Sequence, residues 1–228
     1  MINPNKMYEN LLRLPYFQGM SKDEITAILD KVTIEFFNYT DGETICRLGE
    51  ECDKFIIVTK GEVSSHIVAP DGSYSLAEEI QAPFAVEPYS LFGQYTTYKR
   101  SYAAKGDCTT LVIDKKYLFS EFTKYQIFTI NLLNLISRRA QTQSYAIWNY
   151  TPKSIKGRIA QFIGMRCNDI NGTKRVQIKM ERLASILCET RLNISKALNE
   201  LQDEGYIELH RKEIVVPSLK RLINDIKE

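Results

Sequence analysis

The sequence predicts an α+β fold in which an N-terminal β-barrel precedes a long helix and a C-terminal module of helices and two strands. Three observations predict this order. Short β-rich runs alternate with glycine turns over residues 33–113, helical spacing of apolar residues follows over residues 115–150, and two closely spaced amphipathic helices occupy residues 180–203. We therefore predict domains at residues 1–114, 115–150 and 151–228.

Composition and charge set the class of protein. The 228 residues are 44% hydrophobic and 25% charged, which is typical of a globular chain. Residues 1–150 carry 15 basic and 18 acidic side chains, whereas residues 151–228 carry 15 and 10. A basic C-terminal module points to nucleic acid as its partner. Because no apolar stretch approaches the roughly 20 residues of a membrane span, we expect a cytoplasmic protein that makes no membrane contact.

Side chains that bind metals or act as nucleophiles are sparse. The five cysteines include no Cys-x-x-Cys pair, and the two histidines, His66 and His210, are far apart in the chain. A zinc site needs several such ligands together, and histidine is the commonest general base. We therefore predict no metal, no disulfide and no catalytic residue, and we expect that the protein is not an enzyme.

The barrel region has the pattern of a sandwich or jelly roll. Residues 55–58 form an apolar run that Gly61 is expected to end, and residues 108–113 are predicted as the last strand. The turn dipeptides that separate these runs are Asp41-Gly42, Lys60-Gly61 and Asp71-Gly72. Short strands at this spacing favour a jelly-roll barrel over a parallel α/β sheet.

The long helical region is predicted to mediate dimerisation. Its first half is apolar nearly all round, which indicates that one face covers the barrel while another meets a partner helix. Asn131 and Arg139 interrupt the heptad, so we do not expect a long coiled coil, and an ordinary core helix is the alternative. The Thr151-Pro152 dipeptide ends the region, and Ser154 is predicted to cap a helix over residues 155–165.

The C-terminal module has the pattern of a winged helix-turn-helix. Residues 180–187 form a first helix, residues 188–190 a turn, and Arg191–Asp203 a second helix that ends before Gly205. Residues 206–209 and 213–216 are predicted as two strands, with Asn171-Gly172 as a hairpin turn before the first helix. This order of elements is typical of DNA-binding modules.

The second helix presents polar side chains that suit a DNA groove. The residues expected near base edges are Thr190, Arg191, Leu192, Asn193, Ser195, Lys196 and Asn199. Leu192 suits a thymine methyl group. The residues expected at phosphates are Lys174, Arg175, Lys179, Arg182, Arg211 and Lys212. A winged-helix adaptor that binds protein, with these charges solvated, is the alternative.

Residues on both sides of the predicted hinge carry a resemblance to a known family. They are Arg138-Arg139, Gly157-Arg158-Ile159-Ala160, Arg191, Lys196, Leu201, Asp203, Ile207, His210 and Ile214-Val215-Val216. Over essentially its whole length the chain resembles bacterial transcription regulators of the cyclic-AMP receptor and fumarate–nitrate regulator (Crp/Fnr) family. The resemblance implies a cyclic-nucleotide-binding-like barrel that senses an effector, and a homodimer that binds an inexact palindrome of double-stranded DNA. It also implies contact with RNA polymerase, for which the loop at residues 168–175 matches an activating surface.

The chain departs from the family at two positions of the helix-turn-helix. Many relatives have an acidic residue where this chain has Leu192, and leucine cannot accept a hydrogen bond from cytosine N4. The operator is therefore expected to differ from the common one. Cys188 replaces a glycine of the turn, which suggests a different backbone angle there.

The effector-binding positions implied by the resemblance, named here the effector cassette, are Glu87, Arg100, Ser101, Gln143 and Ser144. Arg100-Ser101 resembles half of a cyclic-nucleotide phosphate site, but Glu87-Pro88 replaces the Gly-Glu pair, and proline removes an N–H donor. We therefore predict that cyclic AMP is not the effector and identify no cofactor. Arg100 is interpreted as a solvated surface residue, with an anion ligand as the alternative. Because the first cysteine is Cys46, an N-terminal iron–sulfur cluster is rejected.

Together these patterns predict a sequence-specific DNA-binding transcription regulator that an unidentified small effector controls, or that needs none. The alternatives are the protein-binding adaptor and a cupin-type barrel enzyme with a regulatory tail. The enzyme would require clustered histidines and glutamates in the barrel, where His66 is the only histidine of the region.

Overall fold

The computed structural model describes residues 4–148, 152–168 and 170–226, and the chain divides into two compact units. The barrel unit comprises Met1–Val63 and Gln81–Tyr145, and the winged-helix unit comprises Ser64–Ile80 and Ala146–Glu228. One segment from the barrel region of the sequence thus belongs to the C-terminal unit. The predicted domain limits at residues 114 and 150 stay a prediction.

The barrel unit is built from antiparallel strands, which confirms the predicted fold class. Its strands are β1 (Ile34–Tyr39), β2 (Thr44–Cys46), most of β3 (Lys54–Val68), β5 (Phe84–Ala85) and β6 (Ser101–Asp114). β1 pairs with β6 from Ile34↔Ile113 to Tyr39↔Cys108, β2 also pairs with β6, and β5 pairs with β3. Side chains such as Phe55, Tyr102 and Leu111 are almost fully buried between the strands.

Gly61 lies inside β3, so the prediction that it ends the strand is wrong. Its φ of +95° is in the left-handed region, where a side chain is strained. A Cβ at this position would lie 2.4 Å from the Asp107 carbonyl oxygen and 2.7 Å from the Cys108 Sγ. The strand continues because glycine lets the neighbouring backbone approach, which a sequence pattern read as a turn does not reveal.

The helical region does not form one continuous helix. In the barrel unit, α1 (Pro4–Leu12) and α2 (Lys22–Leu29) precede the strands, and α3 (Lys115–Ser120) is separated by a short turn from α4 (Gln126–Trp148). Phe122 in that turn is fully buried, with its ring centroid 5.0 Å from that of Phe128. The backbone leaves helical geometry at Glu121, where φ is −123°, and this places Phe122 in the core.

One side of α4 remains exposed and apolar. Ile127, Ile130, Leu133 and Ile136 are between 38% and 57% exposed. Asn131, which interrupts the heptad, donates from Nδ2 to the carbonyl oxygens of Tyr16 and Gln18, so it holds the N-terminal segment. Thr151, the predicted end of the region, lies outside the described residues.

The winged-helix unit combines a four-element helical layer with an antiparallel sheet. Its helices are α5 (Ile155–Gly164), α6 (Met180–Ile186), α7 (Arg191–Asp203) and α8 (Leu219–Asp225). Its strands are β7 (Lys174–Ile178), β8 (Glu208–His210), β9 (Glu213–Val216) and the greater part of β4 (Tyr74–Gln81). Ser154 caps α5 as predicted, because its side chain accepts from the Gly157 N–H.

The sheet of this unit runs in the order β4-β7-β9-β8. Asn171-Gly172 was expected to close a hairpin, but β7 pairs with β4 and β9, so that prediction is wrong. Leu76 from β4 joins Ile159, Val176 and Leu198 in one core cluster. The helical spacing and strand alternation described above bury these residues together.

Candidate nucleic-acid interface

The helix-turn-helix forms as the sequence predicts. α6 ends at Ile186 and α7 spans Arg191–Asp203, the predicted range. Thr190 is the N-cap of α7, and its hydroxyl accepts a hydrogen bond from the Asn193 N–H at 3.2 Å. Ile194, Leu198 and Leu201 are fully buried, so the opposite face of α7 points away from the core.

The turn has a left-handed backbone angle although it lacks glycine. Cys188 has a φ of +52°. The expectation that this angle differs from that of relatives with glycine stays a prediction. The Glu189 N–H donates to the Ala184 carbonyl at 2.9 Å, which closes the turn. The hydrogen bonds of the turn hold Cys188 in a conformation that a residue with a Cβ adopts at some cost.

Most of the predicted base-contact side chains are exposed on α7. Leu192 is 77% exposed, and Arg191, Asn193, Lys196 and Asn199 are also exposed, whereas Ser195 is half-buried. Thr190 is exposed but its hydroxyl is engaged in the cap. The geometry therefore gathers these side chains on one polar surface with an apolar centre at Leu192.

A chain of hydrogen bonds orients the first turn of α7. The Arg158 guanidinium donates to the Leu187 carbonyl at 3.0 Å and forms a close ion pair with Glu189. Glu189 in turn accepts from the Asn193 Nδ2 at 3.1 Å, and these bonds from Asn193 and Arg158 lower the pKa of its carboxyl. Arg158 was not among the predicted site residues. The Gly-Arg-Ile-Ala motif at residues 157–160 was the signal that could have found it.

The predicted phosphate contacts divide into accessible and inaccessible residues. Lys179, Arg211, Lys212 and Arg175 are exposed, and Arg211 and Lys212 form the turn between β8 and β9. Lys174 is fully buried and its Nζ lies 3.3 Å from the Glu78 carboxylate, so its prediction as a phosphate contact is wrong. The alternation of β7 gave the signal, since period 2 places Lys174 on the inner face with Val176 and Ile178.

Arg182 is half-buried and already holds anionic and polar partners. Its Nη2 donates to the Asp71 carboxylate at 2.7 Å, and its Nε donates to the Ser73 hydroxyl at 3.0 Å. At the start of α7, Arg191 lies 3.4 Å from the Glu181 carboxylate, and both side chains are well exposed. An exposed pair of this kind is weak and exchanges readily with another anion.

The effector cassette in the barrel unit is mostly closed by the chain itself. Glu87 is 2% exposed, and its carboxylate accepts from the Lys99 N–H at 2.8 Å, the Ser90 hydroxyl at 3.0 Å and the Tyr102 hydroxyl at 3.3 Å. Proline follows it, as the sequence shows, and Glu87 itself adopts a left-handed φ of +37°. Donors of the chain itself therefore satisfy the buried Glu87 carboxylate.

The remaining cassette residues differ in their surroundings. Arg100 is only 5% exposed, so its interpretation as a solvated surface arginine is wrong. The Ser101 hydroxyl accepts from the Leu48 N–H at 3.0 Å, and Ser144 is exposed on α4. The Gln143 side chain lies outside the described residues. The structure therefore brings together Glu87 with its donors from Ser90, Lys99 and Tyr102.

Within residues 4–148, 152–168 and 170–226, no group of three or more histidine, cysteine, aspartate or glutamate side chains is arranged to hold a metal ion. Likewise, none of the helices so far described is both long and apolar enough to cross a bilayer. His66, on which the cupin alternative depends, lines a groove of the winged-helix unit with His210 and does not belong to the barrel unit.

Comparison with known proteins finds two domain families in the chain. A cyclic nucleotide-binding domain matches residues 36–125, and a Crp-like helix-turn-helix domain matches residues 157–224. No ligand of the first domain is identified by these matches. Together the two domain families account for more than half of the chain.

Relatives match along nearly the whole length. The CRP-like cAMP-activated global transcriptional regulator of Mycobacterium tuberculosis (strain CDC 1551 / Oshkosh) is 23% identical, over 95% of this chain and 98% of its own. The catabolite activator protein of Thermus thermophilus has a similar fold, with a TM-score of 0.52, 18% identity, and coverage of 93% and 100%. A putative Crp/Fnr-family regulator of Eubacterium rectale gives a TM-score of 0.51 at 19% identity, covering 93% and 97%.

Proposed function

This chain belongs to the Crp/Fnr family of DNA-binding transcription regulators, and we propose that it acts in the cytoplasm as a homodimer that binds an inexact palindrome. In this proposal each protomer places α7 in a major groove, and the two grooves lie one helical turn apart. The observation that carries the proposal is the polar surface of α7, whose opposite face is buried and whose first turn is capped.

Each side chain of that surface has a proposed role. Arg191 and Lys196 donate to guanine N7 and O6, and Asn193 or Asn199 bonds an adenine edge. Leu192 contacts a thymine methyl group, while Thr190 and Ser195 position the helix. Lys179, Arg211 and Lys212 are exposed and neutralise phosphates, which gives affinity without base preference.

The exposed apolar side of α4 supports the proposed dimer. Ile127, Ile130, Leu133 and Ile136 present apolar surface that burial against a second copy would stabilise. RNA polymerase is the further proposed partner, for which the family resemblance alone argues. Residues 168–175 are the proposed contact. Of these, Lys174 and Arg175 belong to β7, Lys174 is buried, and Asp169 lies outside the described residues.

Control by cyclic AMP is not part of the proposal. The Glu87 carboxylate already accepts three hydrogen bonds from its own domain, so a nucleotide ribose would have to displace them. Another small effector, bound through the Arg100 guanidinium, or an effector-independent dimer, fits the cassette better. Such an effector would change DNA binding only by as much as it binds the DNA-competent form of the dimer more tightly than another form. We propose no enzymatic activity.

Selection of bound duplexes from random DNA tests the proposal directly. We expect the purified protein at near-physiological salt to enrich a site with two-fold symmetry, with and without a small-molecule extract. No enrichment under either condition would contradict the proposal and favour the protein-binding adaptor. A symmetric site enriched only with extract would identify an effector requirement.

The Arg191→Ala variant tests the assignment of α7. We expect it to lose about 1–3 kcal/mol of operator binding and to relax the preference at one base pair. Arg221→Ala is the matched control, because it removes the same charge from an exposed position on α8. An equal loss of affinity for every DNA sequence would indicate that Arg191 contacts a phosphate and not a base. Loss in the control as well would indicate a general charge effect.

Calorimetry with cyclic AMP tests the assignment of the cassette. We expect no heat of binding for the wild-type protein. A stoichiometric heat signal that disappears in Arg100→Ala would contradict the proposal for control. A signal that persists in that variant would place nucleotide binding at other residues and would equally overturn it.

A further inference from the structure

The outer half of the β3–β4 hairpin is part of the winged-helix unit. β4 pairs antiparallel with β7 from Tyr74↔Ile178 to Glu78↔Lys174, which extends the sheet of the wing by one strand. Leu76 is fully buried in the core cluster of this unit beside Val176. The hairpin tip at residues 69–73 therefore sits beside the start of α6, which directly follows β7.

Strand β4 of the hairpin is held by polar contacts along its length. The Glu78 and Lys174 side chains are both fully buried, 3.3 Å apart, and the Asn168 N–H donates to the Glu78 carboxylate at 2.9 Å. The Tyr74 hydroxyl accepts from the Arg166 Nε at 2.8 Å. A Cβ at Gly172 would lie 2.4 Å from the Glu79 carbonyl oxygen, so the backbones meet closely there. These contacts fix the position of the tip.

The tip presents two acceptors to the Arg182 guanidinium. The Asp71 Oδ2 accepts from Nη2 at 2.7 Å, and the Ser73 hydroxyl oxygen accepts from Nε at 3.0 Å. Asp71 is itself oriented by Ser73, whose N–H and hydroxyl donate to Oδ1 at 3.0 and 2.6 Å. These bonds, followed by the charge of Arg182, lower the pKa of the Asp71 carboxyl, so it stays anionic at neutral pH. Two oxygens facing one guanidinium edge are the arrangement that a phosphate also offers.

The tip also lies on the basic surface that the proposed function assigns to DNA phosphates. A groove of about 560 Å³ is lined by Gly72 and Ser73 from the tip and by Lys179, Arg211 and Lys212. Arg182 lies in α6, whose N-cap is Lys179, another of the predicted phosphate contacts. The Asp71 carboxylate thus pairs with the Arg182 guanidinium at the edge of this surface.

We propose that Asp71 stands in for a DNA phosphate at Arg182, so that the backbone of a bound duplex must displace the Asp71 carboxylate from the guanidinium. This inference rests on the proposed DNA-binding function and adds an intramolecular competitor to it. The Arg182 and Asp71 side chains are 40% and 53% exposed, and an exposed ion pair is weak. The Asp71–Arg182 contact, named here the brake, therefore weakens DNA binding modestly and does not prevent it.

The Asp71→Asn variant tests this proposal. Its affinity is measured for one duplex of arbitrary sequence, so that base recognition plays no part. We expect binding to tighten about two- to fivefold, the range that an exposed ion pair supports. The slope of log affinity against log salt should stay nearly the same, because Arg182 neutralises the same phosphate in both bound states. Asp107→Asn is the control, since it makes the same charge change at an exposed position of the barrel unit.

A second variant tests whether Arg182 is the cation that Asp71 withholds from DNA. In an Arg182→Ala background the Asp71→Asn change should have no effect beyond that of the control. Ser73→Ala, which removes the hydroxyl that orients Asp71, should tighten binding in the same direction by a smaller factor and serves if Asp71→Asn is unstable. Thermal unfolding of each variant checks that the unit remains folded.

The outcomes separate this inference from the proposed function. If the wild type enriches a symmetric operator but Asp71→Asn behaves like Asp107→Asn or binds more weakly, the brake is wrong and the DNA-binding function stands. An Asp71 effect that persists without Arg182 also overturns the brake. If neither the wild type nor any variant binds duplex DNA, both are wrong.

Discussion

The recognition surface of α7 and the effector cassette of the barrel unit contain similar polar side chains in opposite settings. On α7, Arg191 is 70% exposed and its contact is a single exposed carboxylate 3.4 Å away. In the cassette, the Glu87 carboxylate is buried and accepts hydrogen bonds from the Lys99 N–H and the Ser90 and Tyr102 hydroxyls. Exposed polar groups are free to exchange water or a weak partner for a ligand, whereas buried groups with complete hydrogen bonding stabilise their own fold.

This difference predicts where substitutions act. Substitution of a buried, fully bonded group should reduce the free energy of unfolding, and substitution of an exposed group on α7 should reduce only DNA binding. The winged-helix unit contains both kinds, because Glu78 and Lys174 are buried while Leu192 and Arg191 are exposed. The two kinds are therefore separable within one unit.

The largest effect is expected from Glu78→Gln. It leaves the Lys174 ammonium buried without a neutralising charge, which costs about 3–5 kcal/mol. Hydrogen exchange at the β7 amides measures the loss, because β7 pairs with β4 at Glu78↔Lys174. Asp203→Asn, at an exposed position of the same unit, should leave this exchange unchanged.

A double variant decides whether the charge is responsible. Adding Lys174→Met to Glu78→Gln removes the unpaired ammonium and should recover most of the stability. If the β7 amides of Glu78→Gln exchange at the wild-type rate, Glu78 and Lys174 do not form a buried ion pair in solution. If the double variant is no better than the single one, loss of packing accounts for the effect.

The second prediction compares thiols in the two units. Burial is the main reason that the pKa of Cys52 is raised to about 11, and it raises the pKa of Cys46 further. Cys188 is exposed in the turn before α7. At pH 8 we expect Cys188 to be alkylated about a hundredfold faster than either barrel cysteine, because thiolate is the reactive species.

Peptide mapping of the alkylated protein measures the three rates. Denatured protein is the control, in which the differences should largely disappear. Rapid labelling of Cys52 in the native protein would show that the cassette side of the barrel opens, and would weaken the contrast between the two units. Protection of Cys188 by duplex DNA would place the turn at the interface.

The limits of sequence-based prediction follow the same division between local and distant contacts. The predicted bounds of α7 agree with the structure because apolar spacing, the Thr190 cap and Gly205 are all local signals. The burial of Arg100 and the pairing of Lys174 with Glu78 depend on residues far away in the chain. A motif match at Arg100-Ser101 therefore gave the residue types but not their environment.

The β3–β4 hairpin shows why part of the fold could not be predicted. Its alternation and its Asp71-Gly72 turn indicate a hairpin, and the structure contains one. Nothing in the local pattern says that its outer half pairs with β7, because either edge of an exposed strand offers the same hydrogen-bonding groups. Register and partner are set by side chains such as Leu76 and Glu78, which become recognisable only when β7 is placed beside them.

The third prediction concerns Glu87→Gln in the barrel unit. The amide replaces one accepting oxygen with a donor that faces other donors, so we expect a loss of about 2 kcal/mol in unfolding free energy. Urea unfolding measures it, with Glu35→Gln as the control at an exposed position of β1. An unchanged unfolding free energy would contradict this prediction and would mean that the hydrogen bonds of Glu87 do not stabilise the fold.

The smallest effect is expected from Leu192→Ala, because this side chain is 77% exposed and packs against little of its own protein. We expect no change in unfolding free energy and a loss below about 1 kcal/mol in operator binding, from the lost apolar contact with a thymine methyl group. Binding to operators in which each thymine is replaced in turn by uracil measures the contact, since uracil lacks only the methyl group. At one position the uracil operator should bind the wild type more weakly but Leu192→Ala unchanged. If every position affects both proteins equally, Leu192 does not contribute to base preference, and the polar residues around it account for the specificity of α7.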